Sequence, residues 1–250
     1  MRYRIIFFVI FSIVFSGCAS VNQKQQKPMD IPVPSPADVN RKLGLEYFKR
    51  GQLDVALEKF KLALQADSRN SETHQAIGIL YQRLEQTDLA ELHLGKAVSY
   101  RPSNASAQVD YGNFLCSVGK FADADGHFNQ ALHTPLYRRP ENALLNAGIC
   151  AHKAGNIEAA EEYLRKALDI KPKLSRALLG MAKVSLAQDK PLSGRAFLQR
   201  YSGVARNSPE SLQLGIEIEK ALGDEHAASQ YQSQLKAEFP RSKETKALSD

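Results

Sequence analysis

The stretch Leu43–Leu64, LGLEYFKRGQLDVALEKFKLAL, decides the fold. Leu43, Gly44 and Tyr47 recur three and four residues apart, and after Gly51 the same spacing returns in Ala56, Phe60 and Ala63. That periodicity belongs to two short amphipathic helices, A and B, joined at a glycine turn. One such hairpin cannot bury its own apolar face, and the chain answers by repeating it. Gly44, Gly78 and Gly112 lie 34 residues apart, and Gly148 follows at 36.

The other repeat positions agree. The second unit carries Ile77, Gly78, Tyr81, Ala90, Leu94 and Ala97, with Pro102 at its end; the third carries Tyr111, Gly112, Leu115, Gly119, Ala124, Phe128 and Ala131. The fourth has Ala147, Gly148, Ala151, Gly155, Ala160, Leu164, Ala167 and Pro172. Small residues stand where two helices cross closely, and large ones fill the hole beside the crossing. A 34-residue helical hairpin of this pattern resembles the tetratricopeptide repeat, TPR. The expected fold is all-α: a solenoid of about six repeats in a curved, right-handed superhelix, with helix A on the inner side. The register weakens after Ser175, where Pro191 and Gly203 interrupt a fifth unit, and again after Ser208, where Leu214, Gly215, Ile218, Ala227 and Tyr231 mark a sixth. The expected units are 37–70, 71–104, 105–140 with an insert, 141–174, 175–207 and 208–241. The polar tail 242–250 is expected to fray.

The first residues address the chain. Arg2 and Arg4, then IIFFVIFSIVF, then small residues before Cys18, read as a secretory signal peptide over 1–17. The apolar run is too short for a spanning helix, which needs ~20 residues. FSGC resembles the lipobox of bacterial lipoproteins, which makes Cys18 the lipidated first residue of the mature chain; Phe15 departs from the usual Leu. Acyl chains on one cysteine anchor a protein through ~0.8 kcal/mol per buried methylene. Ala19, in place of Asp, favours the outer membrane by resemblance to lipoprotein sorting in Gram-negative bacteria. Residues 18–36, rich in Gln and Pro, read as a flexible tether holding the repeats at the periplasmic face.

Composition excludes several functions. Loss of residues 1–17 removes Arg2 and Arg4 and no acid, so a formal +6 becomes +4, with the basic residues dispersed and not gathered in a nucleic-acid-binding stripe. The sequence has no nucleophile elbow, phosphate loop, dinucleotide fingerprint or zinc-ligand spacing, so no catalytic residue, cofactor, small-molecule substrate or metal is expected. His93 and His127 share a register position and form the one candidate pair of stacked ligands, a weak one. Cys116 and Cys150 fall near the middle of helix A in adjacent units, in a compartment that permits a disulfide. The alternative is two buried thiols acting as small hydrophobes.

A signal peptide, lipobox, tether and six TPR units with these two cysteines resemble the type IV pilus biogenesis and stability lipoproteins, the PilF/PilW family of pilotins. The most specific stretch runs from Tyr111 to Asn156: YGNFLCSVGKFADADGHFNQAL, then TPLYRRPENALLNAGICAHKAGN, with the Pro-Leu-Tyr insert that lengthens the period to 36. The resemblance implies a protein partner, the secretin that forms the outer-membrane channel of the pilus, and a role in its localisation and multimerisation. Along helix A the groove-facing register selects Leu45, Phe48, Ile79, Leu145 and Ile149 as an apolar partner-binding stripe. The competing readings are a general periplasmic TPR adaptor for envelope assembly or peptidoglycan enzymes, and a permanent subunit of a β-barrel assembly machine.

Overall fold

The computed structural model describes residues 34–135 and 137–248. The expected signal peptide, Cys18 and the tether as far as residue 33 lie outside them. Six antiparallel hairpins follow one another: α1 (Pro36–Lys49) with α2 (Leu53–Ala66), α3 (Ser71–Arg83) with α4 (Thr87–Tyr100), and α5 (Ala105–Ser117) with α6 (Phe121–Leu132). Then come α7 (Pro140–Lys153) with α8 (Ile157–Ile170), α9 (Ser175–Ala187) with α10 (Pro191–Ser202), and α11 (Pro209–Ala221) with α12 (Glu225–Glu238). No strand occurs among the described residues, and the fold is a TPR solenoid.

Helix starts follow from local chemistry. Ser35 Oγ accepts the Asp38 N–H at 3.0 Å, Asn70 Oδ1 accepts that of Thr73 at 2.9 Å, and Asn104 and Asn156 repeat the device at α5 and α8. Pro36, Pro140, Pro191 and Pro209 take first-turn positions, where no backbone N–H is required. Every A-to-B turn passes through one residue in the left-handed region. These are Gly51, Glu85, Gly119, Gly155, Asp189 and Gly223, with φ from 57° to 81°. Glycine adopts that conformation freely, whereas Glu85 and Asp189 hold it against their Cβ atoms.

Each hairpin is clamped at one crossing. A Cβ built on Gly44 would lie 2.5 Å from the Phe60 ring, and on Gly78, Gly112, Gly148 and Gly215 it would lie 2.6–2.8 Å from Leu94, Phe128, Leu164 and Tyr231. Around each large B-helix residue of the first four hairpins sit fully buried alanines: Ala56 and Ala63, Ala90 and Ala97, Ala124 and Ala131, Ala160 and Ala167. The fifth hairpin has Ala182 at the crossing and Leu198 opposite, both buried.

The two ends depart from expectation. Leu43, read as a repeat position, is 44% exposed, with no preceding hairpin among the described residues to cover it. As far as Leu248 the tail packs on the last hairpin: Ser242 caps a one-turn helix, α13 (Lys243–Lys246), Thr245 Oγ1 donates to the Phe239 carbonyl at 2.7 Å, and Leu248 packs on Leu212, Ile216 and Leu235. A terminal repeat leaves an apolar face that some other segment must cover, and here the polar tail supplies it.

Replacing Glu85 by Gly removes ~1–2 kcal/mol of left-handed strain and adds back ~0.4–1 kcal/mol of unfolded-state entropy. The expected result in urea denaturation is a net gain of about 0.5–1 kcal/mol; a loss of stability would contradict this account of the turn.

Candidate functional site

Successive A helices contact one another along the stack, while successive B helices do not, so the A helices line the inner, concave face. They are stitched together on that side. Ser71 Oγ donates to the Ala97 carbonyl at 2.8 Å and accepts Asn104 Nδ2 at 3.0 Å; Gln75 Nε2 reaches from α3 to Ser106 Oγ at 3.0 Å and Asp110 Oδ2 at 2.6 Å. Burial pushes the Asp110 carboxyl above its ordinary range, against the Gln75 hydrogen bond and the pull of Arg139. Between α5 and α7 the stitch is covalent: Cys116 and Cys150 are disulfide-bonded with Cα atoms 5.8 Å apart, inside the span a disulfide bridges. Closing this loop stabilises by about 3–4 kcal/mol in the chain-entropy model.

The expected apolar stripe is divided by the structure. Leu45 and Phe48 are half-buried on the first hairpin beside Phe60, Ile77 and Leu80, with the Arg83 guanidinium 5.5 Å from the centre of the Phe48 ring. Ile79 is half-buried against the next cluster, which contains Val109 and Cys116. Leu145 borders the groove concavity that also holds Asp110 and Asn146, yet it shows almost none of its side chain there. It is 3% exposed and packs in one cluster with Leu178 and Leu179 of α9, because the following hairpin closes over it. Ile149 stays half-buried and borders a concavity of ≈ 240 Å³ with Leu164, Leu179 and Gly180. Between Ile79 and Ile149 the groove is polar: Asp110, Asn113, Asn142 and Asn146 line a second concavity of ≈ 270 Å³ together with Tyr137 and Arg139.

His93 and His127 do not meet as stacked ligands. His93 Nδ1 lies 3.0 Å from His74 Nδ1 within its own hairpin, and His127 Nδ1 lies 2.6 Å from Gln108 Oε1 in the next. The two pairs are 34 residues apart and equivalent, with Gln108 in the place of His74. Among the described residues no three His, Cys, Asp or Glu side chains converge as a metal site. Burial, then the neighbouring His74 and Lys96, push His93 down to about 4, and burial likewise lowers His74, opposed by the Ser68 carbonyl and Asp67. The folded chain therefore holds both imidazoles neutral, whereas the unfolded chain protonates near 6.5. The His93 contribution is full above about pH 6.5 and is lost as pH falls toward about 4. Its size is on the order of 2 kcal/mol after allowance for solvent screening.

In His74→Gln the remaining histidine has an amide partner, as in the third hairpin, so the fall in Tm between about pH 7.5 and about pH 5 should be smaller than in the parent. An identical fall measured by circular dichroism would contradict the assignment.

Comparison with known proteins follows the same geometry. A family model described as tetratricopeptide repeat matches residues 117–175, and a second of the same description matches residues 151–214. The crystal structure of PilW, a widely conserved type IV pilus biogenesis factor, superposes with a TM-score of 0.82 at 30% identity, over 87% of this chain and 100% of that one. The structure of Pseudomonas aeruginosa PilF gives a TM-score of 0.76 at 25% identity, over 86% and 96% of the two chains. In sequence, the type IV pilus assembly protein PilF of Pseudomonas aeruginosa is 24% identical over 244 residues, covering 98% of this chain and 97% of that protein.

Proposed function

This chain belongs to the family of type IV pilus biogenesis TPR proteins that includes PilF and PilW, and from that membership we propose that it is an outer-membrane lipoprotein serving as a pilotin. In this reading Cys18 carries the lipid, the tether suspends the repeats at the periplasmic face, and the concave groove holds secretin subunits while they reach the outer membrane and multimerise. The observation that carries it is the match to PilW over the whole of that chain, not over a generic pair of repeats. The half-buried apolar side chains of the first two hairpins, Leu45, Phe48 and Ile79, are contacts for an apolar segment of the partner, and Ile149 extends them farther along the groove. A TPR scaffold acts by binding, so the chemistry asked of it is shelter and delivery. The oxidising periplasm keeps the Cys116–Cys150 bridge closed in the mature protein.

The test is affinity capture from an outer-membrane extract. A secretin should co-purify with the parent chain, and Leu45→Ser with Phe48→Ser and Ile79→Ser should weaken that interaction by about 2–4 kcal/mol, as for truncated hot spots, with helix content retained. Cys18→Ala should leave the outer-membrane fraction. Absence of a secretin from the capture would overturn the partner, and firm membrane retention of Cys18→Ala would overturn the anchor.

A further inference from the structure

We propose that the concave face between α7 and α9 is a second docking site, built for an extended protein segment that presents an acidic side chain beside a branched aliphatic one. The proposal rests on the reading of this chain as a protein-binding scaffold, and it concerns a surface separate from Leu45, Phe48 and Ile79.

The aliphatic half of the site lies beside an unusually close helix contact. The residues two before the crossing positions Gly44, Gly78, Gly112 and Gly148 are Lys42, Ala76, Asp110 and Asn146; two before Ala182 stands Gly180. A Cβ at Gly180 would lie 3.0 Å from Leu164 Cδ1. Glycine there lets α9 seat directly on the fully buried Leu164, and Ile149 and Leu179 are apolar borders of the ≈ 240 Å³ concavity beside that contact. Glycine inside a helix is destabilising relative to alanine, so this close seat is kept at a cost to α9.

The acidic half comes from unmatched cations. Lys183 is paired with Glu210 across α9 and α11. Lys153 and Arg176, on the same concavity, have no carboxylate partner among the described residues, and neither does Arg139 in the adjoining concavity, which shares Arg176. The one carboxylate bordering that second space, Asp110, already accepts Gln75. Lys153, Arg176 and Arg139 are exposed, and cations bordering an apolar concavity favour a carboxylate that arrives with an aliphatic neighbour, more through specificity than through bulk affinity.

The groove continues on both sides of this point, so the occupant passes through it and does not end there. Toward the first hairpins lie Asn113, Asn142 and Asn146, whose amides donate and accept and so match the unpaired main-chain groups of an extended segment. Toward the last hairpin a concavity of ≈ 390 Å³ shares His152, Lys183 and Glu210 with the central one and adds Glu217 and Glu244, so the acidic side chain of the occupant belongs beside Lys153 and Arg176 and not beyond them.

Calorimetric titration of the full chain with capped peptides of about 10 residues, ~33 Å when extended, tests this. Three peptides alternate Leu with Asp, with Ser or with Lys, each acetylated and amidated so that no terminal charge contributes. The Leu–Asp peptide should bind at least about tenfold tighter than the other two, and Lys153→Glu with Arg176→Glu should erase that preference while circular dichroism stays unchanged. The same charge change at Lys61→Glu, on the exposed face of α2, should leave the preference intact. Equal binding of the three peptides, an unaltered preference in the double variant, or an oligothymidine binding as tightly as the Leu–Asp peptide would each overturn the proposal. Because no secretin enters the titration, failure here is distinct from failure of the pilus assignment.

Discussion

The close crossing of helix A over helix B, glycine against a large side chain, is the constraint on which the rest of this molecule depends. At Gly44, Gly78, Gly112, Gly148 and Gly215 the facing Phe, Leu or Tyr occupies the space where a Cβ would be. The hydrophobic gain of burying Phe60 or Phe128 completely, roughly 1.5–3 kcal/mol for a side chain of this class, is available only if the backbones come that near. Each hairpin then presents flat, alanine-rich sides to the next. Stacking becomes the way to remove those sides from water, and the number of repeats sets the size of the core.

From that crossing the functional surface follows. Hairpins fixed in shape stack with the A helices inside, where inter-repeat links hold them: Gln75 to Asp110, Asn104 to Ser71 and Cys116 to Cys150. The result is a groove whose side chains are displayed by helices and not by loops, the arrangement that keeps a binding surface preorganised at low entropic cost. Farther along, Glu219 is buried but satisfied by Arg195 Nε at 2.9 Å, so the last hairpins stay joined despite a buried charge.

Much of this was legible because glycine facing a large residue leaves a mark at a fixed interval, and the left-handed turn residue leaves another at Gly51, Gly119 and Gly155. What escaped the sequence depends on neighbours that the interval does not name. Leu145 and Asn146 are adjacent on α7, about 100° apart, and only the placement of α9 decides that the first is core and the second groove. Aligning repeats placed His93 with His127, yet the neighbour of His93 is His74, 19 residues back on the partner helix of its own hairpin. The tail hid Leu248 among polar residues, and the exposure of Leu43 follows from its place in the first hairpin, which no sequence window carries. The cations of the central groove, Lys153 of α7 and Arg176 of α9, come to border one concavity only after folding.

The crossing is tested most directly by one substitution made at two glycines. Gly112 faces Phe128, whereas Gly126, exposed inside α6, has nothing within 4 Å of where its Cβ would stand. Equilibrium urea unfolding of Gly112→Ala should show a loss of about 1–3 kcal/mol from overpacking, and Gly126→Ala a gain of about 0.5–1 kcal/mol from helix propensity. Two changes of the same sign, or a Gly112→Ala variant as stable as the parent, would contradict the account.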